Sequence, residues 1–227
     1  MSLERPKHAM KNLVVFCGSK AVSIARRRCQ WAKQDRWIGE TGPSVPWNWH
    51  ESFVEHIASV VRPNVYVELG LSHCVLFNRV VPYAQQLIGV DSDPDAGKWM
   101  SRSDKVRFVN STTDEFAATL KSEPISIDLL FIDADHSRTA VLRDFKNFFP
   151  FVSEQGLILM HDTYPESAKY TEPDHCADAY KAAEELRENQ NGFEIMTIPV
   201  HPGLTLCRKR NSQLPWKELC IAFEPSM

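Results

Sequence analysis

Long hydrophobic runs are missing from this chain of 227 residues. None approaches the roughly 20 apolar residues that a transmembrane helix needs, so no helical membrane span is expected. The run Leu13 to Cys17 is too short for the core of a cleavable signal and ends at Gly18-Ser19-Lys20, so a cytoplasmic protein is expected. Cysteine is sparse and scattered: Cys17, Cys29, Cys74, Cys176, Cys207 and Cys220 form no C-x-x-C pair and no His-Cys spacing suited to zinc. Reduced thiols in an intracellular protein are the expected state. Internal repeats and low-complexity segments are absent as well.

What is present is ordinary in bulk. Hydrophobic residues make up 43% and charged residues 24%, values of a globular protein, and the length fits one large α/β domain. The net charge of −3 conceals an asymmetry, because residues 1–63 hold 10 Lys/Arg against 5 Asp/Glu while the remainder holds 16 against 24. The Arg26-Arg27-Arg28 cluster could meet an anionic partner, but such a run is more often a solvated helix face. The acidic remainder offers no electrostatic footprint for DNA, so nucleic acid is not an expected partner.

The informative feature is four apolar runs that each end on an acid. They are Val65-Tyr66-Val67-Glu68-Leu69-Gly70, Leu87-Ile88-Gly89-Val90-Asp91, Ile127 to Asp133, and Leu157-Ile158-Leu159-Met160-His161-Asp162. Short continuous β-branched and aliphatic runs read as strands buried on both faces, the pattern of a parallel sheet. Ligands of such sheets sit outside the carboxyl ends of the strands. Four carboxylates gathered there cost folding energy unless a ligand, a metal or hydrogen-bond donors meet them.

The remaining elements alternate with these strands. Asn12 to Phe16 could be a strand and Ala21 to Ala32 a basic helix, and residues 39–46 form a Gly- and Pro-containing loop. Trp47 to Val61 carries Phe53, Ile57, Val60 and Val61 at helical spacing. Further helices are expected near Val75–Gln85, after Pro94, from Thr112 or Thr113 onward with an acidic first turn, over Ser137–Phe148, and over Ala177–Asn189. Another strand is expected at Val106–Val109, and the fifth begins after a turn at Gly156. Phe193–Ile198 and Leu204–Arg208 then follow with only a short loop between them. They form a β-hairpin whose last strand runs antiparallel to the rest.

Five parallel strands with alternating helices and a terminal hairpin resemble the class I S-adenosylmethionine-dependent methyltransferases from about Trp47 to Arg208. The look is closest to small-molecule O-methyltransferases of the catechol and macrolide-sugar kind, and to the cephalosporin-hydroxylase-like branch. The resemblance implies an α/β, Rossmann-like fold with a seven-stranded, mostly parallel sheet and helices on both faces. It divides the chain into a basic helical extension over 1–46, a methyltransferase-like domain over 47–210 and a tail over 211–227. A small-molecule acceptor is then the expected partner, and self-association into a homo-oligomer is compatible with it. A catalytically silent binding relative and a hydroxylase-like enzyme on the same scaffold are the alternatives.

Carried onto this sequence, the resemblance assigns roles. The loop Glu68-Leu69-Gly70-Leu71-Ser72-His73-Cys74 would hold the methionine end of the cofactor, with Glu68 orienting it. Gly70 suits a strand exit that a ligand approaches closely. Cys74 stands where a second glycine is usual and Leu76 where a small polar residue is common, so Ser72 is a candidate for the missing hydroxyl. The absence of G-x-G-x-x-G after Gly70 argues against a dinucleotide site. Asp91, about 20 residues on, has the spacing of a carboxylate that accepts from a ribose diol. Ser111 and Thr112 are candidates for the adenine contact, with a plain helix cap as the alternative.

The chemistry is expected at Ile132-Asp133-Ala134-Asp135-His136 and Met160-His161-Asp162-Thr163. By resemblance, Asp133 and Asp162 share one Mg²⁺, a hard ion suited to oxygen ligands. His136 is the candidate base, and His161 or Thr163 could complete the shell. A solvated loop histidine is the plainer reading of His136, and an N-cap partner that of Asp135. Trp47 and Trp49 could wall an acceptor pocket, and the polar stretch from Tyr164 to Asp174 could be a substrate loop.

Overall fold

Each acid-terminated run is a strand. A computed structural model describes residues 46–189 and 192–209. The expected extension over 1–46, its strand and basic helix included, and the tail over 211–227 lie outside the described residues, Pro46 apart. The described strands are β1 (Val65–Leu69), β2 (Gln86–Asp91), β3 (Val106–Asn110), β4 (Ile127–Ile132), β5 (Val152–His161), β6 (Phe193–Ile198) and β7 (Leu204–Lys209). They form one sheet in the order β3-β2-β1-β4-β5-β7-β6. β7 alone runs antiparallel, pairing with both β5 and β6, as the hairpin requires.

The described α-helices are α1 (Trp49–Val61), α2 (Val75–Val80), α3 (Thr113–Ser122), α4 (Arg138–Phe148) and α5 (Ala179–Glu188). Because strand side chains alternate between faces, each buried run supplies two cores at once. Val67, Leu69, Val90, Leu130, Ile132, Ile158 and Met160 pack with Phe116 of α3, Phe145 of α4 and Leu186 of α5. Tyr66, Leu87, Leu129, Phe131 and Leu159 pack with Val54 and Ala58 of α1 and Phe77 of α2. Burying each of these larger side chains contributes about 1.5–3 kcal/mol.

Two boundaries differ from the sequence-based expectation. α2 stops at Val80 rather than near Gln85. Pro82 lacks the N–H that would continue the helical ladder, so the helix ends ahead of it although Val81 keeps helical backbone. Gly156 is not a turn before the fifth strand but lies inside β5. There the pairing jumps from Ile127↔Val152 to Leu129↔Leu157. A Cβ on Gly156 would stand 2.8 Å from the Ile127 carbonyl oxygen, so the irregular stretch needs glycine.

Register levels the strand ends that matter. Leu69 is opposite Val90 on one side and Ile132 on the other, and Ile132 is opposite Met160. The residues that follow these strands therefore emerge along one edge of the sheet. No helix among the described residues is long and apolar enough to cross a membrane.

Candidate active site

At the exit of β1 the backbone turns through three left-handed residues: Gly70 (φ 84°), Ser72 (φ 47°) and Cys74 (φ 55°). The Gly70 N–H donates to the Val90 carbonyl at 2.9 Å, and the Asp133 N–H donates to the Leu69 carbonyl at 2.8 Å. A Cβ on Gly70 would fall on the Asp133 carbonyl oxygen and 2.6 Å from the Ala134 Cα, so only glycine lets the two strand exits meet. Cys74 shows why a second glycine is usual in this loop. Its left-handed backbone costs an L-residue roughly 1–2 kcal/mol, which here is offset by burying the side chain. Burial pushes its thiol up to about 12, so it is inert at neutral pH.

Asp91 ends β2 and ties this loop down. One carboxylate oxygen accepts the Leu71 N–H at 2.9 Å and the other accepts the Asp93 N–H at 2.8 Å. Each oxygen keeps a second lone pair, so the group can still accept from a diol. Glu68 lies deeper than a contact at the mouth of the crevice. It is 3% exposed and takes the Tyr66 hydroxyl at 2.5 Å, and burial holds its carboxyl well above the usual range.

Thr112 is a helix cap. Its Oγ1 accepts the Glu115 N–H while the Glu115 carboxylate accepts the Thr112 N–H, a complete capping box. Ser111 Oγ donates to the Thr112 carbonyl at 3.1 Å. Asp135 accepts the Ser137 N–H at 2.8 Å at the start of α4, the local role foreseen for it.

The acids after β4 and β5 come together. Asp133, His136 and Asp162 each offer a donor atom, and all three atoms lie within 4.8 Å of one another. Asp162 has left-handed backbone (φ 59°), which turns its buried carboxylate toward Asp133 as the chain leaves β5. His136 Nδ1 donates to the His175 carbonyl at 2.9 Å and lies 3.0 Å from Asp162 Oδ2, while Nε2 is 3.3 Å from Asp133 Oδ1. His161 approaches the same pair, its Nδ1 3.0 Å from Asp133 Oδ1 and 3.4 Å from Asp162 Oδ2. Thr163 is instead occupied by the Thr205 hydroxyl at 2.8 Å.

This crowding sets the charges. Burial opposes both imidazolium forms, but Asp162 and then Asp133 overcome it, holding His161 at about 10 and His136 well above its usual value. Burial likewise opposes the carboxylates, and His161 with His136 draws Asp162 well below its usual range and Asp133 below it. Two carboxylates are thus faced by two imidazoles.

Sequence reasoning missed one member of the cluster. His50 of α1 is 5% exposed, stacks nearly parallel to Phe131 with ring centroids 6.3 Å apart, and places Nδ1 3.1 Å from His161 Nε2. Burial, then His161, lowers its pKa to about 3, so it is neutral and able to accept from a protonated His161. Trp49 donates from Nε1 to the His201 carbonyl at 2.9 Å.

A family model described as a methyltransferase domain matches residues 67–163, from β1 to the acid after β5. Over that stretch the chain is similar to methyltransferase domains. Its fold is also that of solved methyltransferases of low sequence identity. An O-methyltransferase from Bacillus cereus, solved with S-adenosylhomocysteine, is 13% identical with a TM-score of 0.62 over 76% of this chain and 86% of its own. TomG from Streptomyces achromogenes, an O-methyltransferase of tomaymycin synthesis solved with S-adenosylmethionine, is 13% identical with a TM-score of 0.60 over 81% and 88%. The methyltransferase PaMTH1 from Podospora anserina, solved with S-adenosylhomocysteine, is 16% identical with a TM-score of 0.58 over 92% and 100%. No curated protein matches the chain.

Proposed function

We propose that the domain transfers the methyl group of S-adenosylmethionine to an oxygen of a small-molecule acceptor. The observation that carries this reading is the meeting of two groups at one sheet edge. The Gly70 loop and Asp91 lie on one side, and the Asp133–His136–Asp162 cluster on the other, joined through the Gly70–Asp133 backbone contact. The first group suits the cofactor: a close-approach glycine, a carboxylate with free acceptor capacity, and Ser111 and Thr112 one strand further along the edge. The second suits a hydroxyl that must lose a proton as it is methylated.

The donor set also fits a divalent cation. Asp133 and Asp162 would hold it, and Asp133 is the more open of the two, its side chain 27% exposed, leaving positions for the acceptor. Such a cation, when bound, lowers the pKa of a hydroxyl that reaches it and cancels the carboxylate field that keeps His136 protonated. His136 Nδ1 is committed to the His175 carbonyl, so the proton would be taken at Nε2. Tyr164, 45% exposed, follows Thr163 beside this end of the sheet and is a candidate acceptor contact.

The test uses the product's binding and turnover separately. Asp162→Asn should lower methyl transfer to a supplied catechol or hydroxylated acceptor while leaving S-adenosylhomocysteine affinity within a few-fold. A chelator should act in the same way and be reversed by added Mg²⁺. Loss of S-adenosylhomocysteine binding in Asp162→Asn would break this division of labour between the two groups.

A further inference from the structure

We propose that His161 is a nitrogen ligand of the cation held by Asp133 and Asp162, and that His50 fixes the tautomer that lets it bind. The site would then favour an imidazole-accepting first-row ion such as Co²⁺, Fe²⁺ or Zn²⁺ over Mg²⁺. This inference rests on the reading that Asp133 and Asp162 hold a cation.

Distance is the first argument. Two donors bonded to one ion at about 2.1 Å, with an angle of about 90–109° between them, are themselves about 3.0–3.4 Å apart. His161 Nδ1 lies 3.0 Å from Asp133 Oδ1 and 3.4 Å from Asp162 Oδ2. His161 Nδ1 therefore already has the spacing to each carboxylate of a ligand sharing one ion with it, and the two acids offer donor atoms within 4.8 Å of each other. The two carboxylates alone would suit Mg²⁺, which takes one or two carboxylates and keeps its waters. Adding imidazole nitrogen moves the donor set toward the later first-row ions.

The ring's other side supplies the second argument. A metal-binding imidazole needs its remaining N–H committed to an acceptor, so that a lone pair is left on the ligating nitrogen. His161 Nε2 meets His50 Nδ1 at 3.1 Å. His50 is itself held by near-parallel stacking on Phe131, and its Nδ1 accepts only if His161 Nε2 carries the hydrogen. That leaves His161 Nδ1 as the nitrogen aimed at the two carboxylates. Both rings are buried, at 5% and 8% exposed, so the arrangement is fixed by packing rather than by solvent. His50 comes from α1, ahead of the matched segment, and reaches His161 from there. His136 meets the same requirement, its Nδ1 serving the His175 carbonyl, so its Nε2 is the competing ligand that the variants below separate from His161.

Calorimetric titration of the full chain with Co²⁺ and with Mg²⁺ tests this, with pulsed EPR of the Mn²⁺-loaded chain reporting imidazole nitrogen directly. Co²⁺ should bind at least ten-fold more tightly than Mg²⁺, and ¹⁴N coupling from an imidazole should appear. His161→Ala should abolish both the coupling and the preference. His50→Phe, which keeps a ring against Phe131, should weaken Co²⁺ binding roughly ten-fold or more. His136→Ala should retain the nitrogen coupling. Equal binding of Co²⁺ and Mg²⁺ without nitrogen coupling would overturn the ligand assignment and leave a carboxylate-only cation site standing. Coupling lost in His136→Ala and retained in His161→Ala would overturn it too. Failure of every ion to bind would remove both this inference and the cation of the proposed reaction, with S-adenosylhomocysteine binding still testable alone. Should His161→Ala fail to fold, His161→Gln carries the same comparison with His136→Ala, with loss of the coupling expected in the first and its retention in the second.

Discussion

Gly70→Ala should damage the fold and the cofactor site together. At φ 84° an added side chain costs about 1–2 kcal/mol of left-handed strain. The new Cβ would also stand 2.6 Å from the Ala134 Cα and from the Asp133 carbonyl carbon. Those atoms are backbone at the exit of β4, so no side chain can rotate away and the strand ends must separate. Overpacking of this kind costs about 1–3 kcal/mol, for a combined loss of about 2–5 kcal/mol. Because stabilities are typically about 5–15 kcal/mol, urea midpoints would fall markedly with the m-value retained. S-adenosylhomocysteine affinity should fall in parallel, measured by calorimetry well below the new midpoint. A variant within about 0.5 kcal/mol of the parent, with unchanged affinity, would mean that the β1 and β4 exits are not in contact as described.

Other perturbations separate the roles of individual groups. Asp91→Ala should lower S-adenosylhomocysteine affinity roughly ten-fold or more, since a charge-assisted bond contributes about 1.5–3 kcal/mol. It should also destabilise the chain by releasing the Leu71 and Asp93 amides, and Asp91→Asn should recover part of that stability; unchanged affinity in both would remove the diol assignment. In the metal-free chain, imidazole NMR should find His161 still protonated at pH 8 and His50 still neutral at pH 5. His161's contribution to stability is therefore fully present below about pH 6.5 and is lost as pH rises toward its folded value of about 10. A His161 that titrates near its ordinary value would contradict the ion-pair geometry. Glu115→Ala breaks the α3 capping box and should lower the melting temperature slightly with cofactor affinity within two-fold. A large loss of affinity there would tie the cap to the adenine contact.

Much of this architecture is legible in the chain because buried parallel strands leave a strong local signal. The runs Val65–Leu69, Ile127–Ile132 and Phe193–Ile198 are strands with those bounds, and the short 198–204 connection marks the one reversal of direction. What escaped depends on partners distant in sequence. Gly156 reads as a turn residue, whereas it is required by the Ile127 carbonyl of the neighbouring strand. The carbonyl that fixes His136 belongs to residue 175 and carries no side-chain signature. His50 lies 111 residues from His161 and falls on the buried face of an otherwise ordinary amphipathic helix. An imidazole on that face among apolar residues was the available cue. Thr112 points the other way: the Thr-x-x-Glu spacing already announces a cap, and the structure shows one.

The most direct test is calorimetric titration of the full chain with S-adenosylmethionine, repeated with Gly70→Ala and Asp162→Asn. Saturable one-to-one binding is expected in the parent chain, strongly weakened by Gly70→Ala and kept within a few-fold by Asp162→Asn. A folded parent chain that gives no binding heat at any temperature, and no protection of its melting transition by the cofactor, would contradict the claim that this crevice holds S-adenosylmethionine.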